Sequence, residues 1–469
     1  MKASTSMVKL AKTSSALLAA LAVAAFPAAA EEPNNAEELN DAEEQVALSD
    51  PNVIEDSTDS IGEWEESVRK AFNLSDWGEH DGKIFAFASQ TTAFPATDPQ
   101  FGNALSAAFE LAMLQIQEEV TMIRFGRQTI DKAREFYSDE SSLAREIPLD
   151  APISKATYAE KAFAILDKTL DVADARLDKE LRELGVEPKT VEAATPKQKK
   201  ILFMENFTKQ MAKSAAGDIA GIFPIQSTVV IDKNGNATLG VVAVFSPKTV
   251  QVARDVAAQR RSLVTGKGRD LSCMVPKDMG EKLGNFGTRL VYDENGDPAI
   301  VSYAVAAYIP DGDDAFINAT RKTNARKKAI DLADAQIAES VSGQMSVRNA
   351  RETGQSVEKF VERELKAGSL STERVVKNMV ETVHHYSKAH AEQKMQGVST
   401  LTSTFFTIPS GQQFYAVARV WKFSTLKAVE AINNGVYENP VRNVAPAAKP
   451  AGNNSGVFQG GKYNSLEDF

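Results

Sequence analysis

The sequence predicts an α+β protein built from two related modules. Each module is a small antiparallel sheet packed by a long Ala-rich helix, with inserted helical hairpins. Three observations predict this: a helical segment recurs, a β-hairpin recurs, and a candidate strand precedes each copy of the helix.

The helical repeat runs over 103–120 and again over 324–341, an offset of 221 residues. Ala108, Leu111, Ala112, Ile116 and Val120 match Ala329, Leu332, Ala333, Ile337 and Val341. Those positions recur at helical spacing, so the repeated face is the buried one. Its alanines suit close approach to a sheet. Gln115 and Gln336 also match beside that face, which points to a buried glutamine bonded to backbone.

The second repeat is offset by 176 residues. Val241-Val-Ala-Val-Phe245 corresponds to Val417-Ala-Arg-Val-Trp421. Each block ends a predicted hairpin, one turning at Asn234-Gly235 and the other at Pro409-Ser410-Gly411. Runs of Val, Thr and aromatics around such turns are hairpin signals. A helix should follow each, over 247–260 and 423–434, and a strand should precede each repeated helix, over 84–93 and 300–309. The first copy carries extra helices over 156–184 and 196–216, the latter with Thr195 as N-cap, Pro196 at N1 and Gly217 as its stop. In the second copy 355–395 fills the same slot.

The flanks differ in composition. Lys2, Lys9 and Lys12, an apolar stretch over 16–26, Pro27 and Ala28-Ala29-Ala30 form a signal peptide, with cleavage predicted after Ala30. The apolar stretch is shorter than the roughly 20 residues of a membrane span. Residues 31–59 then carry eleven acids and no base, a disordered leader by composition. Trp64, Val68, Ala71 and Phe72 mark the first helical face. The expected boundaries are a signal peptide over 1–30, an acidic leader over 31–60, a first module over 61–262, a linker over 263–288, a second module over 289–435 and a disordered tail over 436–469.

Export takes the formal net charge from −10 to −13 by removing three lysines and no acid. That balance argues against nonspecific binding to nucleic acid or anionic lipid. Cys273 is the only cysteine. No intrachain disulfide forms, and the thiol is expected to be buried and inert.

The second copy resembles the envelope domain shared by the flagellar T-ring protein and small bacterial outer-membrane lipoproteins. The carrying residues are Asn324-Ala-Arg-Lys-Lys-Ala-Ile-Asp-Leu-Ala-Asp-Ala-Gln-Ile, Gly397-Val398 and Gly411-Gln-Gln-Phe-Tyr-Ala-Val-Ala-Arg-Val420. The match spans about 120 residues of the second copy and, more faintly, the first. It implies a non-enzymatic envelope module, often part of a larger assembly. This chain departs from the lipoprotein members in having no cysteine near the predicted cleavage site.

No catalytic motif emerges. His384 and His385 point about 100° apart on a helix, and a metal site needs three or four convergent ligands, so no metal and no cofactor is expected. Asp232-Lys-Asn-Gly-Asn236 and Asp293-Glu-Asn-Gly-Asp297 have glycine fourth, against sixth in a calcium loop, and read as turns. Gly266-Lys267-Gly268 lacks the phosphate-loop spacing. One basic cluster, Arg254, Arg260, Arg261, Lys267 and Arg269, straddles the start of the linker. A second, Arg321, Lys322, Arg326, Lys327 and Lys328, lies on the second repeated helix. The aligned first-copy positions Gln100, Leu105, Ser106 and Ala107 are uncharged, so the fold does not require that cluster. It is the candidate patch for an anionic partner, either an envelope polymer or the chain's own leader. The bland alternative is a solvated face paired with Asp331 and Asp334.

These features predict a non-catalytic periplasmic or secreted envelope protein, a structural or binding component of an assembly. Its expected partners are other envelope proteins or further copies of itself, met through helices 156–216 and 355–395. No nucleic acid is expected as a partner, and no transmembrane anchor after signal cleavage. The alternative is a secreted hydrolase with an unrecognised carboxylate site, which a convergent cluster of polar residues in one pocket would favour.

Overall fold

The computed structural model describes residues 54–137, 174–217, 219–310, 312, 314–343, 395–433 and 456–459. The expected signal peptide, most of the expected acidic leader, the start of the helix expected over 156–184, nearly all of the helical stretch expected over 355–395 and most of the expected tail lie outside the described residues.

In the first module, helix α1 (Ser57–Ala71) leads into strands β1 (Gly78–His80) and β2 (Lys83–Thr91). Helix α2 (Phe101–Tyr137) follows, then α3 (Asp174–Glu183), α4 (Pro188–Ala193) and α5 (Pro196–Gly217). Strands β3 (Phe223–Ile231) and β4 (Ala237–Phe245) and helix α6 (Pro247–Ala257) complete it. A 3₁₀ turn (Leu271–Met274) and helix α7 (Met279–Gly284) connect to the second module. That module has β5 (Gly287–Tyr292), β6 (Pro298–Tyr308), helix α8 (Ala315–Ser342), β7 (Val398–Thr407), β8 (Gln413–Lys422) and α9 (Phe423–Asn433). A last strand, β9 (Gly456–Gln459), belongs to the first sheet.

The two sheets run β1-β2-β4-β3-β9 and β5-β6-β8-β7, and every pairing is antiparallel. The first four strands of each sheet follow one order, so the α+β fold consists of two similar modules. The repeated helices α2 and α8 each pack on the two central strands of their own sheet.

Alternation along the strands places the layers. Ile84, Ala86 and Ala88 of β2 and Val241 and Ala243 of β4 meet α2. Phe85, Val242 and Val244 face the other way, toward Trp64 and Val68 of α1. Trp64 sits where strand β4 has Gly240, whose absent Cβ would lie 2.8 Å from the indole. The far side of α2 meets the second sheet: Phe101 packs edge-on to Phe414, and Val305 and Ala416 share its cluster. On that sheet's opposite face, Ala304, Ala306, Tyr415 and Val417 receive Ala325, Ala329 and Ala333 of α8. The order is therefore helix, sheet, helix, sheet, helix.

The modules meet along β3 and β5 through a buried polar seam. The Arg289 guanidinium donates to the Ser227 hydroxyl at 2.7 Å and to the Phe286 carbonyl at 2.8 Å. Ser227 in turn donates to the Gly284 carbonyl and accepts from the Phe286 amide. The stretch expected as a linker is thus packed, with Leu271, Met274, Leu283 and Phe286 buried.

Two details depart from the sequence-based expectations. Cys273 is exposed, because a 3₁₀ turn stacks residues three apart: Leu271 and Met274 take the inward side and Cys273 is turned outward. Four residues of the expected disordered tail pair with Thr228–Ile231 of β3, whose edge offers unpaired backbone groups there.

Candidate functional site

The five basic residues of the second cluster all fall on the first half of α8, but the structure separates them. Asp314 caps the helix, accepting from the amides of Phe316 and Ile317 at 2.9 and 3.0 Å. Arg321 donates to the Ile309 carbonyl at 3.0 Å. The Lys322 ammonium lies over the rings of Tyr308 and Phe405, at 5.4 and 5.9 Å. Arg326 donates to the Tyr415 hydroxyl at 3.1 Å and sits over its ring at 5.6 Å. The hydrogen bond to that hydroxyl, then its Coulombic attraction, raises the Arg326 pKa. Lys327 is exposed. Lys328 turns to α2, donating to Asn103 at 2.7 Å.

Asp334 does not pair with this cluster. It binds Arg419 of β8 through both carboxylate oxygens, at 2.7 and 3.0 Å. What anchors Lys322 and Arg326 is an aromatic strip, Tyr308–Phe405–Tyr415, whose rings are 6.2 and 4.8 Å apart. Phe405 of the strip is itself 41% exposed, and Ile309, next to Tyr308, and Phe316 and Ile317, in the first turn of α8, are left in solvent at 44%, 81% and 39%.

The strip reaches β7, the outer strand of the second sheet. This strand is ten residues long and has no charged residue and no proline. Among the described residues nothing pairs with its outer edge. Natural edge strands are commonly blunted by charge, proline or brevity. A β-bulge lies between Thr400 and Thr402.

The other candidate residues resolve locally. Asp232 accepts from the amides of Asn234 and Asn236, and Asp293 from those of Asn295 and Asp297. Both loops are side-chain-braced hairpin turns with glycine at positive φ, Gly235 at 83° and Gly296 at 76°. His80 is bonded to the Asp76 carbonyl. His384, His385 and His390 lie outside the described residues. Among the described residues no group of three His, Cys, Asp or Glu is placed to hold a metal ion. No described helix is long and apolar enough to cross a membrane.

Gln115 and Gln336 bond side chains of the strand beneath them. Gln115 accepts from Gln90 at 3.1 Å and Gln336 from Ser302 at 2.8 Å, so the backbone partner expected for them is replaced by a strand side chain. Of the inserted helices, α5 packs back on α2, with Phe203 and Phe207 buried and stacked on each other.

The first basic cluster is also dispersed. Arg260 pairs with Asp255 and Arg261 with Asp297. Arg254 instead joins Arg124 and Arg127 in a cleft of the first module. Those two α2 arginines escaped the sequence reading, although their i, i+3 spacing puts them on one helical face.

Comparison with known proteins adds little about activity. A family model described as a domain of unknown function (DUF6844) matches residues 163–258. No curated protein matches the chain. The chain is similar to the crystal structure of hypothetical protein FTT1539c from Francisella tularensis, with 19% identity and a TM-score of 0.45 over 85% of this chain and 94% of that one.

Proposed function

We propose that this chain is an exported, non-catalytic binding component of a bacterial envelope assembly. It docks a partner protein at the corner where α8 begins and β7 forms the sheet edge. One observation carries the proposal: Lys322 lies over the exposed Phe405 of a ten-residue uncharged edge strand, and Ile309, Phe316 and Ile317, just before and at the start of α8, are also left in solvent. The edge offers backbone hydrogen bonds to an added strand. The apolar side chains offer burial, and the two cations favour an acidic flank on the partner. The resemblance of the second module to an envelope domain supports the same reading.

The test is in-cell crosslinking from a photoreactive residue at position 403, with Phe316→Ser plus Phe405→Thr as the challenge. The native chain should give a discrete crosslinked species in envelope fractions, and the double variant should lose it while keeping its thermal transition. The same crosslinked species from both chains would sink the assignment of this corner.

A further inference from the structure

Between the β1–β2 turn, α2 and the first turns of α6 lies a cleft of about 450 Å³. That volume lies within the range of small-molecule sites, about 300–1,000 Å³. Ile84, Ile123, Phe245 and Val250 make one wall apolar. Arg124, Arg127 and Arg254 line it with a single carboxylate, Glu79. Three guanidiniums to one carboxylate is a positive lining in a chain of formal net charge −10, and a cleft concentrates such a field. Arg124 is steadied over the Phe245 ring at 5.1 Å, and Arg127 is ion-paired with Glu79.

The duplication supplies an internal control. At the hairpin offset of 176, Phe245, Val250, Gln251 and Arg254 correspond to Trp421, Leu426, Lys427 and Glu430. In the second module Trp421 and Leu426 are fully buried in a common cluster with Ile300, the counterpart of Ile84. Lys427 there pairs with Glu430 at 2.7 Å. The same fold thus accepts an acid where the first module has Arg254. The arginine lining is a property of this cleft and is not a requirement of the architecture.

We infer that the cleft binds an amphipathic oxyanion, with a phosphate or carboxylate head held by the arginines and a short apolar body against Ile84, Ile123, Phe245 and Val250. Guanidinium groups match both heads through paired N–H donors. The apolar wall distinguishes such a ligand from a bare ion.

Isothermal titration of the full chain with hexyl phosphate, hexanoate, inorganic phosphate and hexanol tests the inference. Hexyl phosphate or hexanoate should bind at least about tenfold more tightly than inorganic phosphate and hexanol, and the tighter of the two identifies the head group. Arg254→Glu, an exposed change to the acid already present in the second module, should weaken that binding by about tenfold or more with the thermal transition unchanged. Lys327→Glu, on α8, should leave it as in the native chain. Equal binding of inorganic phosphate or hexanol, no binding of either hexyl anion, or native affinity in Arg254→Glu would overturn the inference.

Discussion

Asp255 is a single carboxylate that ties the end of α6 to the loop after it. It is 2% exposed. One oxygen accepts from Gln251 at 2.9 Å and Arg260 at 2.7 Å, and the other from the Ser262 hydroxyl at 2.6 Å. Burial opposes its ionisation, but the hydrogen bonds from Ser262, Gln251 and Arg260 outweigh burial and lower its pKa. A lowered carboxyl pKa means that the stabilisation is present above the unfolded value, about 3.9, and is lost as pH falls through the folded one. Asp255→Asn should therefore cost about 2 kcal/mol at pH 7, on the scale of hydrogen bonds to a charged group. The gap to the native chain should narrow below about pH 4. Urea unfolding of both chains at pH 7 and pH 3 checks this, and a gap that stays constant would refute the charged origin.

At the scale of elements, α2 is the central feature. A helix that is apolar all round is a buried one, and α2 is buried almost continuously from Phe101 to Gly126. Its repeated alanine face was readable from the sequence because α8 carries the same face. Its second face was not, although the difference between the copies signalled it. Phe101, Leu105, Phe109 and Met113 correspond to Lys322, Arg326, Ile330 and Asp334 at the offset of 221. The apolar set touches a second sheet, whereas α8 has no third sheet beyond it among the described residues. The contact at the start of α2 is close: a Cβ on Gly102 would lie 2.5 Å from that of Ala307 on β6. Helix propensity alone favours Gly102→Ala by up to about 1 kcal/mol. Overpacking costs about 1–3 kcal/mol and should win, because the obstacle includes strand backbone. The expected result is a lower urea midpoint with an unchanged slope, and a stabilised variant would mean that the helix shifts freely.

At the scale of the molecule, the layers interlock so that the first module's helix covers the second module's sheet. Val305, Ala307, Phe414 and Ala416 rest on α2, and the polar seam of Ser227 and Arg289 joins β3 to β5. The second module alone, residues 263–435, would expose that apolar sheet face and strand the Arg289 guanidinium without Ser227. Expressed by itself it should aggregate or unfold without a cooperative transition. A sharp calorimetric transition from the isolated fragment would show that the modules are independent domains. Terminal units of stacked repeats carry a polar outer face, and the charged side of α8 fits that role. The aromatic strip and Phe316 do not, and for that reason they carry the proposed contact.

The sequence by itself determined the duplication, the order of one strand, the repeated helix, the hairpin and the short helix in each copy, the packed alanine faces and the reading of the two Asn-Gly loops as turns. These are local or periodic signals, and a repeat doubles each of them. Only the tertiary structure decided which helix is shared between two sheets, that the linker is packed and that Cys273 faces solvent. It also decided which arginines converge: Arg124 and Arg127 are more than a hundred residues from Arg254 in sequence. Spacing within a helix reports which residues share a face. It carries no information about which distant helix that face will meet, because that depends on how whole layers stack.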